Sequence, residues 1–63
     1  MIKVFNTGYG DSEARFIPLD EVNIVSQQIN EHGAPYILFE HGDYPLGALC
    51  AEFNGFEWEC DLN

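Results

Sequence analysis

Asp20-Glu21-Val22-Asn23-Ile24-Val25-Ser26-Gln27-Gln28-Ile29-Asn30-Glu31-His32 is the stretch whose reading decides the fold. Asp20 suits a helix N-cap, because its short carboxylate can accept from the free backbone N–H groups of a first turn. Leu19, just before it, is placed to pack on Ile24 as a hydrophobic staple. Val22, Val25 and Ile29 recur at i, i+3, i+7 and form one apolar stripe. Gly33 offers a left-handed stop, and Pro35 lies just beyond it. These signals predict a helix over 20–32. Its other face, with Asn23, Gln27 and Asn30, is polar without being strongly charged.

Strand signals lie on both sides of that segment. Upstream, Ile2 to Asn6 reads as a first strand, Gly8-Tyr9-Gly10-Asp11-Ser12 as a turn, and Glu13 to Ile17 as a returning strand. Downstream, Tyr36-Ile37-Leu38-Phe39-Glu40 is the most strand-like run and is expected near the centre of the sheet. His41-Gly42-Asp43-Tyr44-Pro45 reads as a connecting loop. Leu46 to Phe53 and Phe56 to Asp61 then read as two strands joined by Asn54-Gly55, the strongest short hairpin signal. The order β-β-α-β-β-β predicts a single α+β domain over 1–63. One helix would pack on a mostly antiparallel sheet.

Composition narrows the function. Eleven acids stand against two basic residues, for a formal charge of −9. A direct binder of DNA, RNA or an anionic membrane needs basic patches that this chain lacks. Hydrophobic residues make up 46% and aromatics 14% of the chain, which argues against a disordered acidic tail. In 63 residues a deep catalytic pocket is hard to build, so a surface-based function is the better expectation. Met1 to Phe5 meets Asn6 and Thr7 at once, leaving no apolar signal segment. No apolar run approaches the roughly 18 residues of a membrane span. Two cysteines are too few for a secreted disulfide scaffold, so reduced thiols and a cytoplasmic setting are expected.

A two-residue turn at Asn54-Gly55 implies a register. Phe53 would face Phe56, Glu52 face Glu57, Ala51 face Trp58, Cys50 face Glu59, and Leu49 face Cys60. Alternation then buries Leu49, Ala51, Phe53, Phe56, Trp58 and Cys60, with Trp58 beneath the helix. Glu52, Glu57, Glu59 and Asp61 share the other face with Cys50. Glu57, Glu59 and Asp61 follow one another at about 6.7 Å along the strand. Nucleic-acid phosphates also form a regular row of negative charge, spaced about 3.4 Å per strand, so the match is one of kind. Two readings are open: a solvated edge whose acids deter aggregation, or a surface complementary to a basic groove. Tyr36, Leu38 and Glu40 point to the same side if Ile37 and Phe39 face the helix. The exposed face would then mix acids with an aromatic and a leucine, as binding surfaces do, unless another element covers Tyr36 and Leu38. Glu40 and Asp43 form the next ring of candidate partner-binding charges.

Other chemistry finds little support. His32, His41, Cys50 and Cys60 lack the close pairs of structural zinc sites. His32 is expected in the last helical turn, His41 in a loop, Cys60 in the core and Cys50 on a strand. Gly8-Tyr9-Gly10 lacks the further glycines, lysine and following helix of a phosphate loop. Asp11 with Glu13, or the hairpin acids, are formal acid/base or cation-binding pairs. Exposed acids, however, seldom carry the shifted pKa that catalysis requires, and the EF-hand pattern is absent. No cofactor or enzyme activity is expected.

In its size, its near absence of Lys and Arg, and the acidic strand Phe56-Glu57-Trp58-Glu59-Cys60-Asp61, the chain resembles small acidic phage-encoded inhibitors, the anti-CRISPR and anti-restriction DNA mimics. That resemblance implies a partner such as a CRISPR effector complex, blocked where its positive groove takes DNA. Two other readings remain. One is a small adaptor or immunity-type protein that binds a basic partner without imitating nucleic acid. The other is a haloadapted domain whose charge maintains solubility.

Overall fold

A computed structural model describes residues 1–9 and 14–62 and shows one mixed six-stranded sheet with two 3-10 turns. The strands are β1 (Ile2–Phe5), β2 (Arg15–Ile17), β3 (Asn23–Ile29), β4 (Pro35–His41), β5 (Tyr44–Phe53) and β6 (Trp58–Asp61). The 3-10 turns are Thr7–Tyr9 and Leu19–Glu21. Spatial order is β2-β1-β6-β5-β4-β3, with every neighbouring pair antiparallel except β1 and β6. This corrects the α+β expectation. Among the described residues no helix packs on the sheet.

The segment expected to be helical is β3. Val22, Ile24, Val25 and Ile29 are all β-branched, a class that loses side-chain freedom in a helix and packs well on a pleated surface. The register with β4 shifts between Ile24 and Ser26, so one extra residue is inserted there. That bulge removes the two-residue period that would have marked a strand. The residues that share the core-side face with Ile37 and Phe39 are Ile24, Gln27 and Ile29, spaced by three and then two. Asp20 caps nothing and belongs to the 3-10 turn that leads into the strand. His32 lies in an exposed β3–β4 turn, with its Nε2 3.8 Å from Glu31 Oε1. Gly33 is left-handed as its sequence position implied (φ 82°), but it closes a hairpin and not a helix.

Side-chain amides organise the loops. Asn30 Oδ1 accepts from the His32 and Ala34 N–H groups, both at 2.9 Å. Asn54 Oδ1 accepts from Phe56 and Glu57 N–H, both at 2.8 Å, and Asn54 N–H donates to Glu57 O at 3.0 Å. The β5–β6 connection therefore takes four residues, Asn54 to Glu57, with Gly55 at φ 95°. The register accordingly differs from that of a two-residue turn: Phe53 pairs with Trp58, and Glu52 with Glu59. Phe56, expected in the core, sits on the turn at 87% exposure. Because the slip is two residues, every strand side chain keeps its face. His41 to Pro45 also contracts, since His41 pairs with Tyr44 and only Gly42 and Asp43 make the turn. Asn54→Ala is expected to cost about 1 kcal/mol, in line with the net worth of hydrogen bonds at a solvated turn, and urea unfolding would show it.

The strand order forces curvature. In a flat sheet β2 and β3 would lie five spacings of about 4.8 Å, or roughly 24 Å, apart. Ile17 and Asn23 are joined by six residue steps, which reach at most about 20–22 Å even when fully extended. The 3-10 turn at Leu19–Glu21 shortens that reach further. The sheet therefore curls, and its concave side becomes the core. Ile2, Val4, Ile17, Ile37, Phe39, Ala51 and Cys60 are buried there. Val22, Tyr44, Leu49 and Trp58 pack against them. Trp58 is half-buried on this side, stacked at a tilt on Phe53 with ring centroids 5.1 Å apart. It takes the inward position expected of it, but it covers the core from within the sheet and not from under a helix. An ion pair from Arg15 Nη2 to Asp43 Oδ2 (2.6 Å) ties β2 to the β4–β5 turn, with Arg15 also over the Tyr44 ring.

Candidate functional site

Alternation and pairing together define the convex face. β1 contributes Lys3 and Phe5, opposite Glu59 and Asp61 of β6. Glu52 of β5 faces Glu59 on one side and Tyr36 of β4 on the other. Cys50 faces Leu38, and Glu40 faces Asn23 of β3. Tyr36, Leu38 and Glu40 thus share one side with the hairpin acids, while Ile37 and Phe39 point into the core. Three of the expected site acids, Glu52, Glu59 and Asp61, form a contiguous group. Glu40 lies four residues further along β4 than Tyr36, the partner of Glu52, or about 13 Å away.

Neutral donors orient these acids. Asn23 Nδ2 donates to Glu40 Oε1 at 3.1 Å. Thr7 Oγ1 donates to Asp61 Oδ2 at 3.0 Å, and Thr7 N–H to Asp61 Oδ1 at 3.4 Å. Asn54 Nδ2 donates to Glu59 Oε1. Beside the acids, Tyr36 Oη donates to Gln28 Oε1 at 2.6 Å, which fixes the ring on the face.

Two expected members fall elsewhere. Glu57 sits in the β5–β6 turn and is no longer opposite Glu52. Asp43 lies in the β4–β5 turn, bound by Arg15, with its backbone N–H donating to His41 Nδ1 at 3.1 Å. Asp11 and Glu13 lie outside the described residues. Sequence reasoning also missed Lys3. The parallel β1–β6 pairing brings it opposite Glu59, with its Nζ over the Phe5 ring at 5.4 Å. No local pattern could announce a neighbour more than fifty positions away.

The register makes a stability prediction. Glu52→Lys is expected to replace a like-charge pair with an attraction to Glu59, worth roughly 0.2–1 kcal/mol. Glu57→Lys, in the turn, is expected to change thermal stability little. Equal gains from both variants would contradict the four-residue turn.

Cys50 is exposed on the convex face and Cys60 is buried on the concave one. Burial, with smaller contributions from Cys50 and Asp61, pushes the Cys60 thiol up from 9.0 to about 11. The folded state therefore holds this proton more tightly than the unfolded chain does. The resulting stability is present below pH 9 and is lost as pH rises through about 11. Urea midpoints measured across that window are expected to fall more steeply for the natural chain than for Cys60→Ala.

The surface carries shallow, open clefts, one of about 440 Å³ bordered by Glu21, Glu40, His41 and Tyr44. Among the described residues no group of three or more His, Cys, Asp or Glu side chains is placed to hold a metal ion. No helix of the described residues is long and apolar enough to cross a membrane. Comparison with known protein families, with curated proteins and with solved structures finds no match.

Proposed function

We propose that this chain is an acidic inhibitory binding protein that occupies the basic nucleic-acid groove of a partner. The observation that carries the reading is the convex face itself. Glu40, Glu52, Glu59 and Asp61 share it with Tyr36, Leu38 and Phe5, and Lys3 lies among them. Exposed charge steers association and penalises wrong partners, while the interleaved aromatic and aliphatic groups hold the complex. The acids are oriented by neutral amides and a hydroxyl, an arrangement suited to binding rather than proton transfer. By its resemblance to small acidic phage inhibitors, the partner class is a CRISPR effector complex in the cytoplasm of the host.

The test is displacement. Titrating the protein into a preformed effector–DNA complex is expected to release DNA, because one basic groove cannot take two polyanions. Binding is also expected to weaken as salt rises, since exposed charges are screened beyond about 8–10 Å near physiological ionic strength. If DNA stays bound while the protein also binds, the mimic is wrong and an adaptor or allosteric inhibitor replaces it.

A further inference from the structure

Asn54 is gripped at both ends of its side-chain amide. Its Oδ1 accepts from the Phe56 and Glu57 N–H groups, both at 2.8 Å, and its Nδ2 donates to Glu59 Oε1. A side-chain carbonyl that reaches the N–H two residues on folds back over the backbone nitrogen between them, here that of Gly55. Gly55 is exposed, and open space lies where a side chain would project. The amide carbon of Asn54 therefore stands over an unhindered backbone nitrogen.

Two N–H donors at 2.8 Å from a carbonyl oxygen are also the equipment of an oxyanion hole. Hydrogen bonds to an ionised oxygen are about twice as strong as those to a neutral one, so both would tighten as charge builds on Oδ1. The amide nitrogen is held by a carboxylate, and that hold also strengthens as the nitrogen gains a proton. The grip on the amide thus favours the transition state over the resting amide.

We propose that Asn54 is a self-modification site, which this turn converts to aspartate or isoaspartate through a cyclic imide. Gly55 N gives its proton to water and bonds to Asn54 Cγ, while the Phe56 and Glu57 N–H groups hold the oxyanion. The Cγ–Nδ2 bond then breaks, and the nitrogen leaves as ammonia with a proton passed from water through Glu59. Water opens the ring at Cγ to give aspartate, or at the backbone carbonyl to give isoaspartate. The balance is one water consumed and one ammonia released. A carboxylate then faces Glu59, which already faces Glu52, and the formal charge of −9 grows by one unit. Aspartate keeps an acceptor for both N–H groups, whereas isoaspartate lengthens the backbone of the turn by one carbon. The inference needs no partner for the acidic face.

Asn30 is an internal comparison. Its Oδ1 likewise accepts from two N–H groups, but the nitrogen beside it belongs to Glu31, whose side chain hinders ring closure. Asn6 and Asn23 precede the β-branched Thr7 and Ile24, which hinder it too.

Storage of the full chain at neutral pH, followed by peptide mass mapping and ion-exchange chromatography, tests the proposal. The same chain unfolded in urea gives the reactivity of Asn54-Gly55 without the turn. The folded chain is expected to convert Asn54 about 10-fold faster than the unfolded one, a fraction of the 100-fold to 1,000-fold that one oxyanion donor contributes in an enzyme. Asn30 is expected to stay intact over the same period. Glu59→Gln keeps an acceptor for Nδ2 but carries no proton. It is expected to slow the folded chain several-fold and leave the rate in urea unchanged, with circular dichroism verifying its fold. Conversion no faster in the folded chain than in urea would overturn the inference. So would a folded-state rate that Glu59→Gln leaves unaltered, or equal conversion at Asn30.

Discussion

Phe39→Ala is expected to cause the largest loss of folding stability of any single substitution considered, leaving a marginal fold at 25 °C. Phe39 is 0% exposed, paired with Leu49 on one side and Ile24 on the other, at the centre of the concave core. Removing a buried phenyl ring costs about 3–5 kcal/mol, because transfer energy is lost and the cavity only partly collapses. A chain of this length has a total stability of roughly 3–9 kcal/mol at 0.05–0.15 kcal/mol per residue. One substitution therefore removes a third of the stability or more. The core is a single layer of side chains inside a curled sheet, with no second layer to move in and fill the space. Phe16→Ala is the control: Phe16 lies opposite Lys3 on the convex side and is 52% exposed, so its loss is expected to cost under about 1 kcal/mol. Urea unfolding of both variants measures the contrast, and similar midpoints would refute the assignment of the two faces.

The second large effect is on association rate. Converting Glu40, Glu52 and Glu59 to Gln and Asp61 to Asn removes four charges while keeping size and much of the hydrogen bonding. If these acids steer the chain to a basic groove, the association rate at low salt is expected to fall by about 10-fold to 1,000-fold. The dissociation rate should change less, because steering acts on encounter. Folding stability is expected to hold or rise slightly as the Glu52–Glu59 repulsion disappears. Stopped-flow association at low and at physiological ionic strength reads the effect directly. An unchanged rate at low salt would remove the convex acids from the mechanism.

The acidic face is legible in the sequence, although the β5–β6 turn is longer than Asn54-Gly55 implies. Asn54-Gly55 reads as a two-residue turn, and the structure makes a four-residue one in which Asn54 caps two further N–H groups. The slip is even, and a strand's faces repeat every two residues, so Glu52, Glu59, Asp61 and Cys50 stayed outward and Trp58 and Cys60 inward. Glu57 and Phe56 were misplaced because the longer turn removes them from the strand. The helix over 20–32 failed for a reason equally local to one residue. The bulge between Ile24 and Ser26 breaks the two-residue alternation that marks a strand, which leaves the i, i+3, i+7 spacing of Val22, Val25 and Ile29 as the stronger local signal.

By itself the sequence determined the strong acid excess, the five segments outside 20–32 that became strands, and which side of each of β4, β5 and β6 is apolar. These follow from composition and from alternation within a few residues, and no distant partner can change them. Tertiary structure decided the rest. Whether Val22 to Ile29 coils or extends depends on β4 being available to complete its hydrogen bonds. The parallel pairing of β1 with β6, and with it the placing of Lys3 opposite Glu59, joins opposite ends of the chain. The short link from Ile17 to Asn23 curls the sheet and selects the concave side as core. Such choices rest on contacts between residues far apart in sequence, whose energies exist only once the chain has closed on itself.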